Sequence, residues 1–135
     1  MNTRIRYINP AGLSKNPAFS QAVITEGPGK TIYVGGQNAV NANGEIIGKG
    51  NLKEQTEQAL QNVQIALTSC GADFENIVKL SVFLIQGQNP MDGFAASQKF
   101  MSKLSNPPAV SVLLVSGLGN PDFLVEIEAI AFIPD

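Results

Sequence analysis

The stretch from Asn106 to Ile133 constrains the fold most, because it reads as two apolar strands joined by a loop rich in Gly, Asn and Pro. Alternate residues of a strand share a face. In the second strand, one face carries Glu126 and Glu128 among apolar residues, and the other carries only Val, Ile and Ala. The aliphatic face predicts a buried core strand. The mixed face predicts an edge, a pocket or a subunit interface, where the carboxylates can be satisfied.

The rest of the chain divides into short strands and two amphipathic helices, with no repeat and no linker. Because the turn before Lys30 is short, the two strands around it are expected to form an antiparallel hairpin. The strand that contains Lys79 is almost entirely apolar, so both of its faces are expected to be covered. The further predicted strands are 3–8, 19–25, 30–34 and 77–85, and the predicted helices are 51–70 and a second one that begins at 89–90 and ends before 106–108.

Local signals define the first helix and one irregularity in a strand. Asn51 is placed to cap the helix N-terminus, and Gly71 suits the left-handed position after its last turn. Cys70 falls on the apolar stripe, which predicts a small packed side chain and not a nucleophile. Gly35 and Gly36 follow a strand directly, a pattern typical of a β-bulge and, less often, of a ligand contact.

Composition excludes several classes of function. The chain of 135 residues is long enough for one domain, 1–135, with a real core. A net charge of −2, no basic run and 7% aromatic residues argue against nucleic-acid binding and ribonuclease action. The absence of His removes Ser-His-Asp and Cys-His catalysis and, with a single Cys, a Cys/His zinc site. No metal or other cofactor is expected.

Cellular location is predicted from what the sequence lacks. One Cys cannot form an internal disulfide, which suits a reducing compartment. The first fifteen residues have no apolar core of a signal peptide, and no run is long enough to span a bilayer. A soluble, cytoplasmic protein without membrane contact is expected.

Six motifs occur in order along the chain: YVGGQ at 33–37, NGE at 43–45, QALQNV at 58–63, IVKLSVF at 77–83, NPPA at 106–109 and NPDFLVEIEAIA at 120–131. With this set the chain resembles the RidA/YjgF family over about residues 21–131. The resemblance implies an α+β, chorismate-mutase-like fold, with a mixed sheet of about six strands and two helices on one face. It also implies a homotrimer whose sheets close into a barrel and whose clefts lie between subunits.

In the best-known members of that family, the clefts hydrolyse enamines and imines to 2-oxo acids and ammonium. An arginine binds the substrate carboxylate and a glutamate positions water. At the arginine position this chain has Val110. The glutamate position is Glu126, the one candidate catalytic residue. The other positions matched to the family's binding residues are Phe19, Gly35, Gly36, Gln37, Phe94, Gln98 and Val112.

The loss of the arginine changes the expected ligand, because valine cannot form the paired, charge-assisted hydrogen bonds that hold a carboxylate. A neutral or cationic, partly apolar small molecule is expected instead. Three interpretations stay open: hydrolysis of an imine or enamine that lacks the carboxylate, binding without catalysis as a sensor, or a chaperone-like module. Glu126 is equally explained as a water-positioning residue or as an interface carboxylate, whereas Glu128 is interpreted as structural.

Overall fold

The computed structural model describes residues 4–135, so the predicted strand position Thr3 lies outside the described residues. Six strands and two α-helices form an α+β fold with both helices on one face of the main sheet, as predicted. The elements are β1 Ile5–Ile8, β2 Ala22–Thr25, β3 Gly29–Gln37, α1 Leu52–Ser69, β4 Ile77–Ile85, α2 Pro90–Met101, β5 Ala109–Val115 and β6 Val125–Pro134, with a 3-10 turn at Phe74–Asn76.

The main sheet has the strand order β3-β6-β4-β5, so the last strand of the chain lies in its interior. β6 is antiparallel to both β3 and β4, whereas β4 and β5 run parallel. Parallel neighbours need a crossover connection, and α2 supplies it. Neither helix of residues 4–135 is long and apolar enough to cross a membrane.

The predicted hairpin between β2 and β3 is wrong. β2 pairs with β1, from Ile5 opposite Thr25 to Ile8 opposite Ala22, and β3 pairs with β6 instead. Just before β2, Ser20 forms a parallel bridge to Ala109, and its hydroxyl donates to the carbonyl of Pro107. The β1–β2 ribbon therefore reaches the β5 end of the sheet, and the turn that follows leads the chain back to β3.

The two faces of β6 differ as the sequence predicts. Val125, Ile127, Ala129 and Ala131 are all buried on the helix side, whereas Glu128 is exposed on the other side. β4 differs from its prediction, because Leu80 and Leu84 are buried but the opposite face is only partly covered. The core therefore lies between the helices and one face of the sheet, and the opposite, open face of the sheet presents mixed polar and apolar side chains.

The ends of α1 follow the sequence signals. The side chain of Asn51 accepts a hydrogen bond from the backbone N–H of Glu54, and Gly71 adopts a φ of 80° after the last turn. The prediction for Cys70 is wrong, because its side chain is exposed at the helix C-cap. The buried part of the apolar stripe ends at Leu67, and the helix itself ends at Ser69, so Cys70 lies beyond the stripe.

Candidate functional site

A cavity of about 630 Å³ lies between α2 and the helix-covered face of the sheet. Its floor is the buried core, formed by side chains of α1, β4 and β6. Its mouth lies between α2 and the edge strand β5, where Phe94 is 45% and Val112 is 57% exposed. The floor residues are Leu60, Leu80, Val82, Leu84, Val125 and Ile127, and the walls include Phe19, Met91, Phe94, Ser97, Gln98, Met101, Val110 and Val112.

The cavity exists because α2 packs against α1 more than against the strands it connects. Gly93 of α2 lies close to Thr56 of α1, where a Cβ would be only 3.5 Å from the hydroxyl oxygen. Lys99 forms an ion pair with Glu57 of α1 at 3.3 Å. Within α2 itself, only Ala96 is buried. The apolar side chains of α2 that face the sheet therefore border open space.

The chemistry of the cavity is apolar and uncharged. Among the described residues that line it, none carries a charge. The hydroxyl of Thr56 donates to the carbonyl of Leu52, and that of Ser97 donates to the carbonyl of Phe94. The side-chain amide of Gln98, at the exposed rim, makes no hydrogen bond within residues 4–135. The cavity therefore suits a neutral, largely apolar molecule with a polar group near the rim.

Of the remaining predicted site residues, Glu126 lies on the open face of the sheet with Gly35 and Gly36 beside it, whereas Gln37 pairs with the buried Ile127 at the end of β3. A register shift between Val34 and Gln37 confirms the β-bulge at Gly35 and Gly36. At Gly36 an added Cβ would lie 2.7 Å from Cδ of Glu126, so any side chain there would force the carboxylate to move. The lack of a side chain at Gly36 thus lets the Glu126 carboxylate pack directly on the bulged backbone.

Glu126 is held by an amide and not by a cation. The side-chain nitrogen of Asn38 donates to the Glu126 carboxylate at 3.3 Å and to the carbonyl of Val125 at 3.1 Å. The side-chain amide of Gln37 donates to the carbonyl of Gly35 at 3.2 Å and so stays within the bulge. No ion pair involves Glu126 in the described part of the chain, although its side chain is partly buried.

The structure brings five predicted site residues together and separates four from them. Phe19, Phe94, Gln98, Val110 and Val112 all line the cavity, whereas Gly35, Gly36, Gln37 and Glu126 do not. Strand register explains the split. Val110 pairs with Leu80, which pairs with Ala129, and these three side chains lie on the helix side of the sheet. Glu126 pairs with Phe83, and both lie on the open side.

Sequence reasoning missed two contributors to these surfaces. Asn38, the only side-chain donor to the Glu126 carboxylate among residues 4–135, follows the Gly-Gly-Gln motif without any signal that marks its role. Met91 lines the cavity mouth three residues before Phe94, a spacing that places both on one side of a helix. That spacing was the available signal, since both side chains are exposed although apolar.

A second, smaller pocket of about 240 Å³ lies on the open face between β3, β6 and β4. Lys79 and Glu128 line it, but Lys79 donates to the hydroxyl of Ser111 at 2.7 Å and forms no ion pair with Glu128 within residues 4–135. Across those residues, no three Cys, Asp or Glu side chains converge in a way that could hold a metal ion.

Comparison with known proteins defines the class. Residues 12–133 match the family described as Endoribonuclease L-PSP. The chain is 38% identical to the mitochondrial protein mmf1 of Schizosaccharomyces pombe over 128 residues, which cover 92% of this chain and 74% of the relative. It is 34% identical to the human 2-iminobutanoate/2-iminopropanoate deaminase, over 84% of this chain and 78% of that protein.

A solved structure agrees in fold. YyfB from Yersinia pestis, described as a member of the conserved Rid protein family, superposes with a TM-score of 0.87 at 32% identity, over 97% of this chain and 100% of that one. The chain therefore belongs to the Endoribonuclease L-PSP family, also called the RidA/YjgF family, and the resemblance drawn from its motifs is confirmed.

Proposed function

We propose that this protein binds a small, uncharged and largely apolar molecule in the cavity between α2 and the sheet. The uncharged lining carries the proposal, because the position at which the family resemblance expects a carboxylate-binding arginine is Val110, which faces the cavity. The volume is about four times the roughly 150 Å³ that accommodates benzene in an engineered protein cavity. A ligand with one or two rings, or a branched chain, is therefore the expected class.

A carboxylate is expected to bind far more weakly than its neutral analogue. Moving an ionised group into an apolar cavity without a partner costs several kcal/mol, and each 1.4 kcal/mol is about a tenfold loss of affinity. For two ligands that differ only in a carboxylate and a carboxamide, we therefore expect a preference of at least about 100-fold for the amide.

Thermal denaturation with such matched pairs tests the proposal, because a ligand that binds the native state raises its stability by mass action. Uncharged aromatic and branched amides should raise the melting temperature, and their carboxylates should not. Val110→Arg should reverse that order by supplying a cation at the wall. Ile65→Arg is the matched control, since Ile65 is an apolar residue of α1 that does not line the cavity and is already 67% exposed. Equal shifts with both members of each pair would contradict the proposal.

A second candidate function is hydrolysis of imines or enamines that lack a carboxylate. Two observations favour it: relatives such as the human protein are named as 2-imino acid deaminases, and Glu126 is a partly buried carboxylate without a cation. Glu126 would orient the attacking water. Because it lies on the opposite sheet face from Val110 within one chain, a cleft that uses both needs a second copy of the protein.

We propose a homotrimer as the source of that second copy, as the family resemblance implies. β5 supports this, because its outer edge has no strand partner beyond Ala109 among residues 4–135 and carries the exposed Val112, Leu113 and Leu114. An exposed apolar edge strand is a ready interface. Light scattering that gives a trimer mass is expected, and a monomer mass would remove the shared cleft.

Imines generated in situ from neutral amines by an amine oxidase test the hydrolysis, and the 2-imino acids made by an amino-acid oxidase serve as the carboxylate-bearing comparison. Release of ammonia above the spontaneous rate, lost in Glu126→Gln but kept in Glu128→Gln, is the expected result. Glu128 is the matched control, since it lies two residues further along the same strand, on the same face, and is exposed. Stabilising ligands that are recovered unchanged, with no acceleration of any imine, would leave binding as the only function, whether as a sensor or as a chaperone-like module.

We propose a cytoplasmic location and no nucleic-acid partner. The net charge of −2 and the lack of His give no support to ribonuclease action, although the family description includes that activity. One relative is mitochondrial, so fractionation of the native protein is the direct measurement of location.

A further inference from the structure

We infer that Asn38 is a positioning residue that orients the Glu126 carboxylate for the imine hydrolysis proposed above, on which the inference rests. The geometry is specific. Asn38 directly follows β3, and its side-chain nitrogen donates to Glu126 Oε1 at 3.3 Å and to the carbonyl of Val125 at 3.1 Å. Both hydrogens of that amide nitrogen are thereby used, and the contact with the neighbouring carbonyl fixes the direction of the donor.

Asn38 is itself held in place by a chain of amides, here called the amide relay, formed by Gln58, Asn62 and Asn38. The side-chain nitrogen of Asn62 donates to the backbone carbonyls of Asn38 at 3.0 Å and of Val40 at 2.8 Å. Gln58 donates in turn to the side-chain oxygen of Asn62 at 2.9 Å. The relay anchors the segment after β3 to α1, so the donor that reaches Glu126 is attached to the rigid core.

The amide relay leaves the two oxygens of the Glu126 carboxylate in different surroundings. Asn38 contacts Oε1, and the backbone of Gly36 closes one side of the carboxylate next to Oε2. Oε2 accepts no hydrogen bond from residues 4–135. A carboxylate with one oxygen fixed and the other free can accept a proton from a water molecule in a single orientation, which is what general-base assistance requires.

A Lys or Arg in place of Asn38 would also hold Glu126, but its positive charge would offset the negative charge with which the carboxylate activates water. A neutral amide orients the carboxylate and leaves it uncompensated by any ion pair in the described part of the chain. A purely structural carboxylate on a strand would need no such arrangement, since Glu128, two residues further along, is simply exposed to solvent.

Two variants separate orientation from folding. Asn38→Leu removes the donor with little change in size, and Asn38→Asp keeps the shape but replaces the donor with a second carboxylate. We expect kcat for the best imine to fall about tenfold in Asn38→Leu and further in Asn38→Asp, with KM changed less than about twofold. Asn41→Leu is the matched control, because Asn41 makes the same kind of contact with Glu45, at 3.0 Å, in a turn away from Glu126. It should leave kcat unchanged.

A measurement without substrate keeps the inference independent of the proposed reaction. The side-chain NH₂ signals of Asn38 in a ¹⁵N-correlated NMR spectrum can be assigned by their absence in Asn38→Leu. They should shift in Glu126→Gln and stay in place in Glu128→Gln.

If the unmodified protein accelerates no imine, the hydrolysis fails, and the NMR result alone decides whether Asn38 orients Glu126. The inference is overturned if Glu126→Gln abolishes turnover while Asn38→Leu and Asn38→Asp keep it. It is also overturned if the Asn38 signals do not shift in Glu126→Gln.

Discussion

Replacing Gly36 with alanine tests whether the position of the Glu126 carboxylate matters to function. The new Cβ would lie 2.7 Å from Cδ and 3.0 Å from Cγ of Glu126. Ordinary contacts of this kind are 3.4–4 Å, so the carboxylate must move by about 1 Å. A shift of that size would also disturb its 3.3 Å hydrogen bond with Asn38.

The effect on stability should be small and the effect on catalysis large. Moving the end of a flexible side chain costs about 1 kcal/mol, and a Gly-to-Ala change in an extended strand returns roughly 0.4–1 kcal/mol by restricting the unfolded chain. The two contributions nearly cancel. A misplacement of about 1 Å in a catalytic group, by contrast, can lower a rate by about 100-fold.

Gly35→Ala provides the matched control, because a Cβ at Gly35 meets no atom within 4 Å. Urea denaturation of both variants should give unfolding free energies within about 1 kcal/mol of the unmodified protein. Release of ammonia from neutral imines should fall about 100-fold in Gly36→Ala only. Suppose that Glu126→Gln has lost activity but that Gly36→Ala keeps it within twofold of the unmodified protein. That result would refute the argument that the bulge sets the carboxylate position.

Three further measurements address individual side chains. Burial and the nearby Glu75 carboxylate raise the pKa of Tyr7 above 10.0, so the folded state holds this proton more tightly than the unfolded state. The free energy of unfolding should therefore fall as pH rises through about 10. The fall in the urea midpoint over this pH range should be smaller in Tyr7→Phe than in the unmodified protein. It should be unchanged in Tyr33→Phe, whose side chain is 76% exposed. Asn51→Ala should lower the unfolding free energy by about 1 kcal/mol through loss of the α1 cap, and an unchanged urea midpoint would contradict the capping role. Cys70 should react with a thiol reagent in the folded protein nearly as fast as in urea, and protection in the folded state would contradict its exposure.

The parts of the fold that depend on local chemistry were predictable. The cap at Asn51, the left-handed Gly71 and the bulge at Gly35 and Gly36 each follow from a rule that involves a few neighbouring residues. The faces of β6 were predictable too, because alternation in one strand needs no partner. Strand pairing was not predictable in this way. The short turn before β3 favours a hairpin with β2, but pairing with the buried strand β6 prevails because the core lies there.

The candidate site shows the same limit. The cavity walls were predictable by residue type, since Phe19, Phe94, Val110 and Val112 are all apolar positions of the family pattern. Their separation from Glu126 depends on the register between β4, β5 and β6, because a shift of one residue moves a side chain to the opposite face. Asn38 could not be found, since its role depends on a contact with a residue 88 positions away.

The interior position of β6 has a consequence for how the chain folds. Among the described strands, β3 pairs only with β6, whereas β4 pairs with both β5 and β6. Until residues beyond Val125 have been synthesised, β3 therefore has no partner and β4 has only one. During translation, the apolar faces of the earlier strands, of α1 and of α2 therefore stay exposed to solvent until β6 is available. Long-range pairing of this kind slows folding and exposes the nascent chain to aggregation. A stop codon before Val125 should therefore give insoluble or degraded product, and not a shortened domain.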